Sequence, residues 1–325
     1  MLMRPLMFRG AAGGAAALRP QDVYQTVLYT SAGESPKTVS SAITPDLVWG
    51  KQRNSQFDHQ LFDSKRGAGK ILSTNSTGAE SNFPDQYGSI STNQFSDTGY
   101  NSGDTVSNWL FRRAPKFFDI VTYTGDGTSG RQIPHGLGIP PGMVIVKRRD
   151  GAVSWRTYHR AAPGQAASLE DTGAFFTDSG TLFGNGSSAV APGSTSFTVG
   201  QNVGVNASGA TYVAYLFAHD PDPVNGIVQC GSFTTDNTGE SPGLVPLPWR
   251  PQYVLVKPST VSGNWEVLDT TRGWVNAGGG GKVLRPNTSE AELSVVRGEP
   301  DNLGFYWAGG AASATYVYLA IRAPI

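Results

Sequence analysis

The sequence predicts an all-β protein built of three tandem β-sandwich units, jelly-roll-like, with short linkers and an N-terminal arm. Composition, an internal repeat and the form of the apolar runs lead to that class. Of 325 residues, 41 are Gly and only 15% are charged, against a usual glycine share of about 7%. Small polar residues mixed with β-branched and aromatic ones suit turns and strands. No long stretch of helix formers with helical period interrupts them.

The repeat emerges from self-comparison. Pro45-Asp-Leu-Val-Trp-Gly-Lys51, Pro141-Gly-Met-Val-Ile-Val-Lys147 and Pro251-Gln-Tyr-Val-Leu-Val-Lys257 share Pro six residues before Lys, and the lysines are 96 and 110 residues apart. Each follows a short strand with turn residues after it: Val27-Leu-Tyr-Thr30, Val121-Thr-Tyr-Thr124 and Gly231-Ser-Phe-Thr234. Downstream, His59, Trp155 and Trp265 each open another strand. Leu72-Ser-Thr-Asn75 matches Leu284-Arg-Pro-Asn287. Each unit closes on an apolar strand that ends at Pro115, Pro221 or Pro324, which sets Tyr318 opposite Trp109 and Tyr215. The boundaries are an arm at 1–22 and units at 23–115, 116–223 and 224–325.

Within a unit, Val144-Ile-Val146 and Tyr253-Val-Leu-Val256 are short apolar runs that read as strands buried on both faces. The Pro before each run marks its first residue. The Lys after it marks the expected return to water. Short helical turns are expected near 64–70, 76–80 and 289–293, where Ser and Thr are placed to cap them. Prolines in the linkers at 114–116 and 220–224 stiffen them, so the units should hold fixed orientations.

Net charge is zero, so no overall field gathers nucleic acid, and none is expected as a partner. No apolar stretch approaches the ~18 residues of a membrane span. Residues 1–20 resemble a secretory leader only superficially, because Arg9 and Gly13-Gly14 break the apolar run. They read as an irregular arm whose isolated charges, Arg4, Arg9 and Arg19, are candidates for docking. The single cysteine, Cys230, allows no disulfide within the chain.

The search for chemistry finds little. Four histidines (His59, His135, His159, His219) stand in no catalytic spacing, and GxSxG is absent. Gly67-Ala-Gly-Lys70 lacks the rest of a phosphate loop. Asp171 with Asp178, and Glu290 with Glu292, are carboxylate pairs that nothing distinguishes from loop acids. Asp119, Asp126, Asp220 and Asp222 lack the spacing of a calcium loop. No catalytic residue, cofactor or metal ligand is therefore expected, and no enzymatic activity. The most specific polar feature is Asp63-x-x-Arg66-Gly67, repeated as Asp269-x-x-Arg272-Gly273. It suits either an anion site gripped by Arg or an internal Asp–Arg pair that fixes a tight turn. The second reading is preferred, since the middle copy has His159-Arg160-Ala161 there. Trp49, Trp249, Trp274 and Trp307 are candidates for stacking on sugars, although the commoner place for Trp is the core.

Several segments together carry a resemblance. They are Leu47-Val-Trp-Gly-Lys51, Phe62-Asp-Ser-Lys-Arg-Gly67 with Leu72-Ser-Thr-Asn75, and the run from Phe111 to Gly125. Pro134-His-Gly-Leu-Gly138, Val205-Asn-Ala-Ser-Gly209 and Tyr212-Val-Ala-Tyr-Leu-Phe-Ala-His219 continue it. From about residue 23 onward the sequence resembles a bacteriophage virion structural protein family, described as tail fibre or tail structural proteins. That resemblance implies a non-enzymatic component of the particle, in the tail rather than on the capsid surface. It also implies contacts to other tail or baseplate proteins and a host surface receptor, with glycans as candidates. A homo-oligomer is implied, a trimer being favoured. A capsid decoration or head fibre protein is the first alternative. A carbohydrate-binding or glycan-cleaving tail spike is the second.

Overall fold

A computed structural model describes residues 17–97, 99–275 and 281–324. One helical turn, Pro20–Val23, precedes an otherwise β chain. Three four-strand arrangements recur. In the first unit the opening strand Tyr24–Thr30, closing strand Thr105–Phe111, central strand Leu47–Gln52 and flanking strand Gln60–Asp63 lie side by side in that order, all antiparallel. The second unit repeats it with Phe118–Thr124, Thr211–Ala218, Pro141–Arg148 and Arg156–His159, and Gln165–Ser168 and Phe176–Thr177 extend the sheet. The third uses Val228–Thr234, Thr315–Arg322, Pro251–Pro258 and Glu266–Asp269. The chain enters each sheet at one edge, crosses to its centre and returns between the two.

Each sheet covers a smaller one made from strands of the same unit. Lys37–Ser40 pairs with Gln94–Asp97, Arg131–Pro134 with Ser196–Val199, and Val245–Pro246 with Gly304–Tyr306. Val48, Phe62 and Leu110 of the first large sheet meet Val39 and Phe95 of its small one. Val254, Leu268 and Ala320 do the same against Val245 and Phe305 in the third.

The opposite faces of the three large sheets meet one another. Trp49, Trp109 and Phe111 of the first unit, Ile145, Trp155 and Phe217 of the second, and Tyr253, Leu255 and Ile321 of the third belong to one continuous core. Phe111 lies 5.4 Å from Phe217 and 6.1 Å from Tyr253, centroid to centroid. This explains the unbroken apolar runs. A strand whose alternate side chains enter its own unit on one face and the shared centre on the other has no face left for water.

Three expectations are corrected. Lys51, Lys147 and Lys257 do not return the chain to water, because each is fully buried. Their ammonium groups are capped by backbone carbonyls: Gln52 O for Lys51, Thr77 O and Val153 O for Lys147, and Thr172 O and Gly263 O for Lys257. Burial lowers each lysine pKa to about 8. The segments at 64–70, 76–80 and 289–293 form turns and extended chain, and among the described residues the one 3₁₀ turn is Thr270–Arg272. The third closing strand is also one residue out of the expected register. Leu255 pairs with Leu319, as Trp49 pairs with Trp109 and Ile145 with Tyr215. Leu319 therefore takes the place expected for Tyr318. A one-residue slip reverses every side chain, so Tyr318 enters the core of its own unit.

Candidate functional site

Many buried polar groups lie at the seams where units meet, and the seams follow a cycle. His59, Trp155 and Trp265 occupy equivalent places beside their central strands. Trp155 Nε1 donates to Ser73 O of the first unit at 3.1 Å, and Trp265 Nε1 to Ser168 O of the second at 3.0 Å. His59 Nε2 lies 3.0 Å from Arg285 O of the third. Trp49 Nε1 donates to His59 Nδ1 at 3.0 Å, so the proton sits on Nε2 and the ring is neutral. Burial, together with Lys51, lowers the His59 pKa to about 3.

Backbone bonds repeat the cycle. Glu80 N donates to Arg149 O, Phe175 N to Ser259 O and Glu292 N to Arg53 O, at 2.8, 3.0 and 2.7 Å. The third unit thus closes on the first as the second does on the first and the third on the second. The three units form a ring.

The Asp-x-x-Arg motifs lie inside two of these seams. Asp63 Oδ1 accepts the Lys65 and Arg66 amides, and Arg66 Nε donates to Asp63 Oδ2 at 2.5 Å. Arg66 also reaches Leu61 O at 2.8 Å and Glu80 at 3.1 Å. From the second unit, Arg149 grips the same Glu80 with two bonds of 2.9 Å, and the Tyr215 hydroxyl donates to Asp63 at 2.8 Å. Burial works against the charge on Arg66, but Asp63, Tyr215 and Glu80 outweigh it and raise the pKa.

The seam between the third and first units repeats the network. Arg272 bonds Asp269, Val267 O and Glu292 at 2.5, 2.9 and 3.0 Å. Arg53 grips Glu292 at 3.0 and 2.7 Å, and Trp109 Nε1 donates to Asp269 at 2.8 Å.

The seam between the second and third units has no such network at these places. His159 stands where the other copies have Asp63 and Asp269, and Leu319 where they have Tyr215 and Trp109. Phe175 replaces the Glu and Ser259 the outer Arg. The carboxylate and its donor are absent together, so neither is left buried without a partner. His159 Nε2 contacts Tyr318 O at 3.1 Å instead, and burial lowers its pKa to about 4.

Asp63, Arg66, Asp269 and Arg272 are brought together in pairs, with side chains at most 1% exposed. The arginines that complete the networks, Arg149 and Arg53, are far away in the sequence and were not singled out by its motifs. Glu80 and Glu292, by contrast, follow Arg66 and Arg272 by 14 and 20 residues and end the two matching segments that begin at Leu72 and Leu284. The structure describes Arg19 but not Arg4 or Arg9, which fall outside the described residues. Arg19 is exposed and pairs with Asp22 at 2.8 Å. Trp49, Trp249, Trp274 and Trp307 are all buried. Asp178 accepts the Gly180, Leu182 and Phe183 amides, and Glu292 is committed to its seam. Burial pushes the Cys230 thiol pKa well above its usual value. Among the described residues no cluster of His, Cys, Asp and Glu is placed to hold a metal, and no helix is long and apolar enough to cross a membrane.

Sheets, seams and shared centre define a cyclic β-repeat protein whose polar specificity is spent on holding its own units together. The chain belongs to the family described as Domain of unknown function (DUF7483), which it matches over residues 19–111 and 113–322. The break between the spans falls at the end of the first closing strand, and the second span takes in two units. No curated protein matches the chain.

Proposed function

We propose that the protein is a non-enzymatic structural component of a bacteriophage virion that takes part in host attachment. The segments from Leu47 to His219 that resemble tail proteins support this reading. The observation that carries it is the ring itself. Its conspicuous charged pairs are buried between units, and the first described residues, Ala17–Arg19, leave from the end where the three opening strands begin. An N-terminal arm there, with Arg4, Arg9 and Arg19, would dock a rigid body on tail or baseplate proteins. Closure within one chain already supplies a threefold packing, and the homo-oligomer that the resemblance implies would be assembled from such closed rings.

One observation favours the capsid decoration reading. Three units closed on one another make a knob, whereas a rod would need them end to end.

Removing residues 1–18 tests the docking role and leaves the Arg19–Asp22 pair in place. The shortened protein should melt at the same temperature and be missing from purified particles. Normal incorporation of this variant and of the same variant carrying Arg19→Ala would end the docking reading. Labelled full-length protein seen on the particle separates tail from head.

A further inference from the structure

Beyond the seams, one cleft of the third unit is chemically distinct. It has a volume of about 170 Å³ and is lined by Glu266, Arg285, Arg297, Trp307, Gly310 and Tyr316 among others. Arg297 holds Glu266 through bonds of 2.5 and 3.1 Å. Arg285 Nε lies 3.5 Å from the same carboxylate but makes no hydrogen bond, although it is buried. Trp307 is 3% exposed, and its indole N–H faces the Tyr316 hydroxyl without completing a hydrogen bond of good geometry. The Tyr316 hydroxyl on the same wall already accepts the Ala311 amide at 2.6 Å. Buried donors left bare are disfavoured, and each calls for an explanation.

Two further observations bear on the cleft. A methyl group on Gly310 would stand 2.6 Å from Trp307 Nε1 and 2.7 Å from the Tyr316 hydroxyl. Only glycine lets the backbone pass this close to both groups without displacing them. The other two units act as internal controls. Their registers put Gln60 and Arg156 where the third has Glu266, and Asp97 and Val199 where it has Trp307. The β-unit therefore folds without this set of residues.

The cleft presents two unmet N–H donors, two guanidinium groups and the Glu266 carboxylate, and Arg285 also pairs through its other nitrogen with Glu290 at 3.0 Å. A complementary ligand brings a negative acceptor for the donors. It also brings hydroxyl donors for the lone pairs that Glu266 retains after meeting Arg297. We propose that the cleft binds a carboxylated sugar unit, its carboxylate facing Trp307 and Arg285 and its hydroxyls facing Glu266. This deepens the attachment reading and rests on it only for where the sugar is met.

Calorimetric titration of the full chain with glucuronate, glucose and acetate tests it. Glucuronate should bind saturably, with glucose and acetate weaker by about tenfold or more, the scale of one charge-assisted hydrogen bond. Trp307→Phe keeps the ring and removes the N–H, and should weaken glucuronate about tenfold. Gly310→Ala should block it. Circular dichroism would establish that both variants fold. No saturable binding to folded wild type, acetate binding as tightly as glucuronate, or an unchanged affinity in Trp307→Phe would overturn the proposal. Particles that adsorb normally while carrying a non-binding Trp307→Phe would sink the attachment reading and leave the cleft standing.

Discussion

At the scale of single residues, the seams show which polar groups depend on one another. Asp63, Arg66 and Glu80 are buried together, and each is tolerable only because the others are there. Arg66→Ala leaves two carboxylates facing each other and should cost about 3–5 kcal/mol. Tyr215→Phe removes one donor and should cost about 1–2 kcal/mol. Urea unfolding of both variants measures the difference, and equal small losses would show that the network is not cooperative.

The histidines set a dependence on pH. Burial holds His59 and His159 neutral, with pKa values lowered to about 3 and 4. Unfolded imidazole takes a proton near pH 6.5. A group depressed in this way leaves stability intact above pH 6.5 and removes it as pH falls towards the folded values. Between pH 7 and 4.5 each ring should remove roughly 2–3 kcal/mol. The urea midpoint across that range reads the loss, and His59→Gln should make it shallower.

The Asp-x-x-Arg-Gly motif was legible in the sequence as an internal pair. Its partners were not, because Arg149 and Tyr215 lie far along the chain from Asp63 and share no spacing with it. The absence of the motif from the middle unit was also legible, but its reason was not. Only the paired replacement of Asp by His159 and of Tyr or Trp by Leu319 gives that reason.

At the scale of strands, the period of two decided what could be read. Continuous apolar runs at Val144–Val146 and Tyr253–Val256 correctly signalled two buried faces. They could not say that the second face meets other units. The lysines misled for the same reason. A Lys after an apolar run ordinarily marks the exit to solvent, yet here backbone carbonyls cap the buried ammonium, from the following turn for Lys51 and also from the neighbouring unit for Lys147 and Lys257. The third closing strand misled through similarity. Tyr318-Leu319 imitates Tyr215-Leu216, while the shared Ala-Thr-Tyr-Val at 210–213 and 314–317 carries the true register. Two matching side chains at a strand's end are weaker guides than four in a row before it, because the ladder between strands admits only one offset.

At the scale of the whole molecule, the repeat was legible and its closure was not. Tandem copies imply adjacent units. Nothing in linear order says that the last should rest on the first. The chain does so with contacts of the same kind as its other seams: a ring N–H to a backbone carbonyl, and an amide to a carbonyl two residues past the buried Lys. Two seams carry a buried ionic network and the third is held by hydrogen bonds to backbone carbonyls, so the three places in the ring are chemically different although their folds agree.

Closure separates spatial neighbourhood from covalent order. Val23 O accepts the Arg112 amide, and Ile227 O accepts the Arg322 amide, so the beginning and end of every unit lie at the same pole. The span from Ile321 to Tyr24 is then equivalent to the one that the chain crosses from Phe111 to Phe118. A circularly permuted chain, cut at Pro115-Lys116 and joined from Pro324 to Leu18, should assemble the same body and unfold in one transition near the parent's midpoint. A permutant that melts in separate steps would mean that covalent order, and not only the three seams, holds the ring shut.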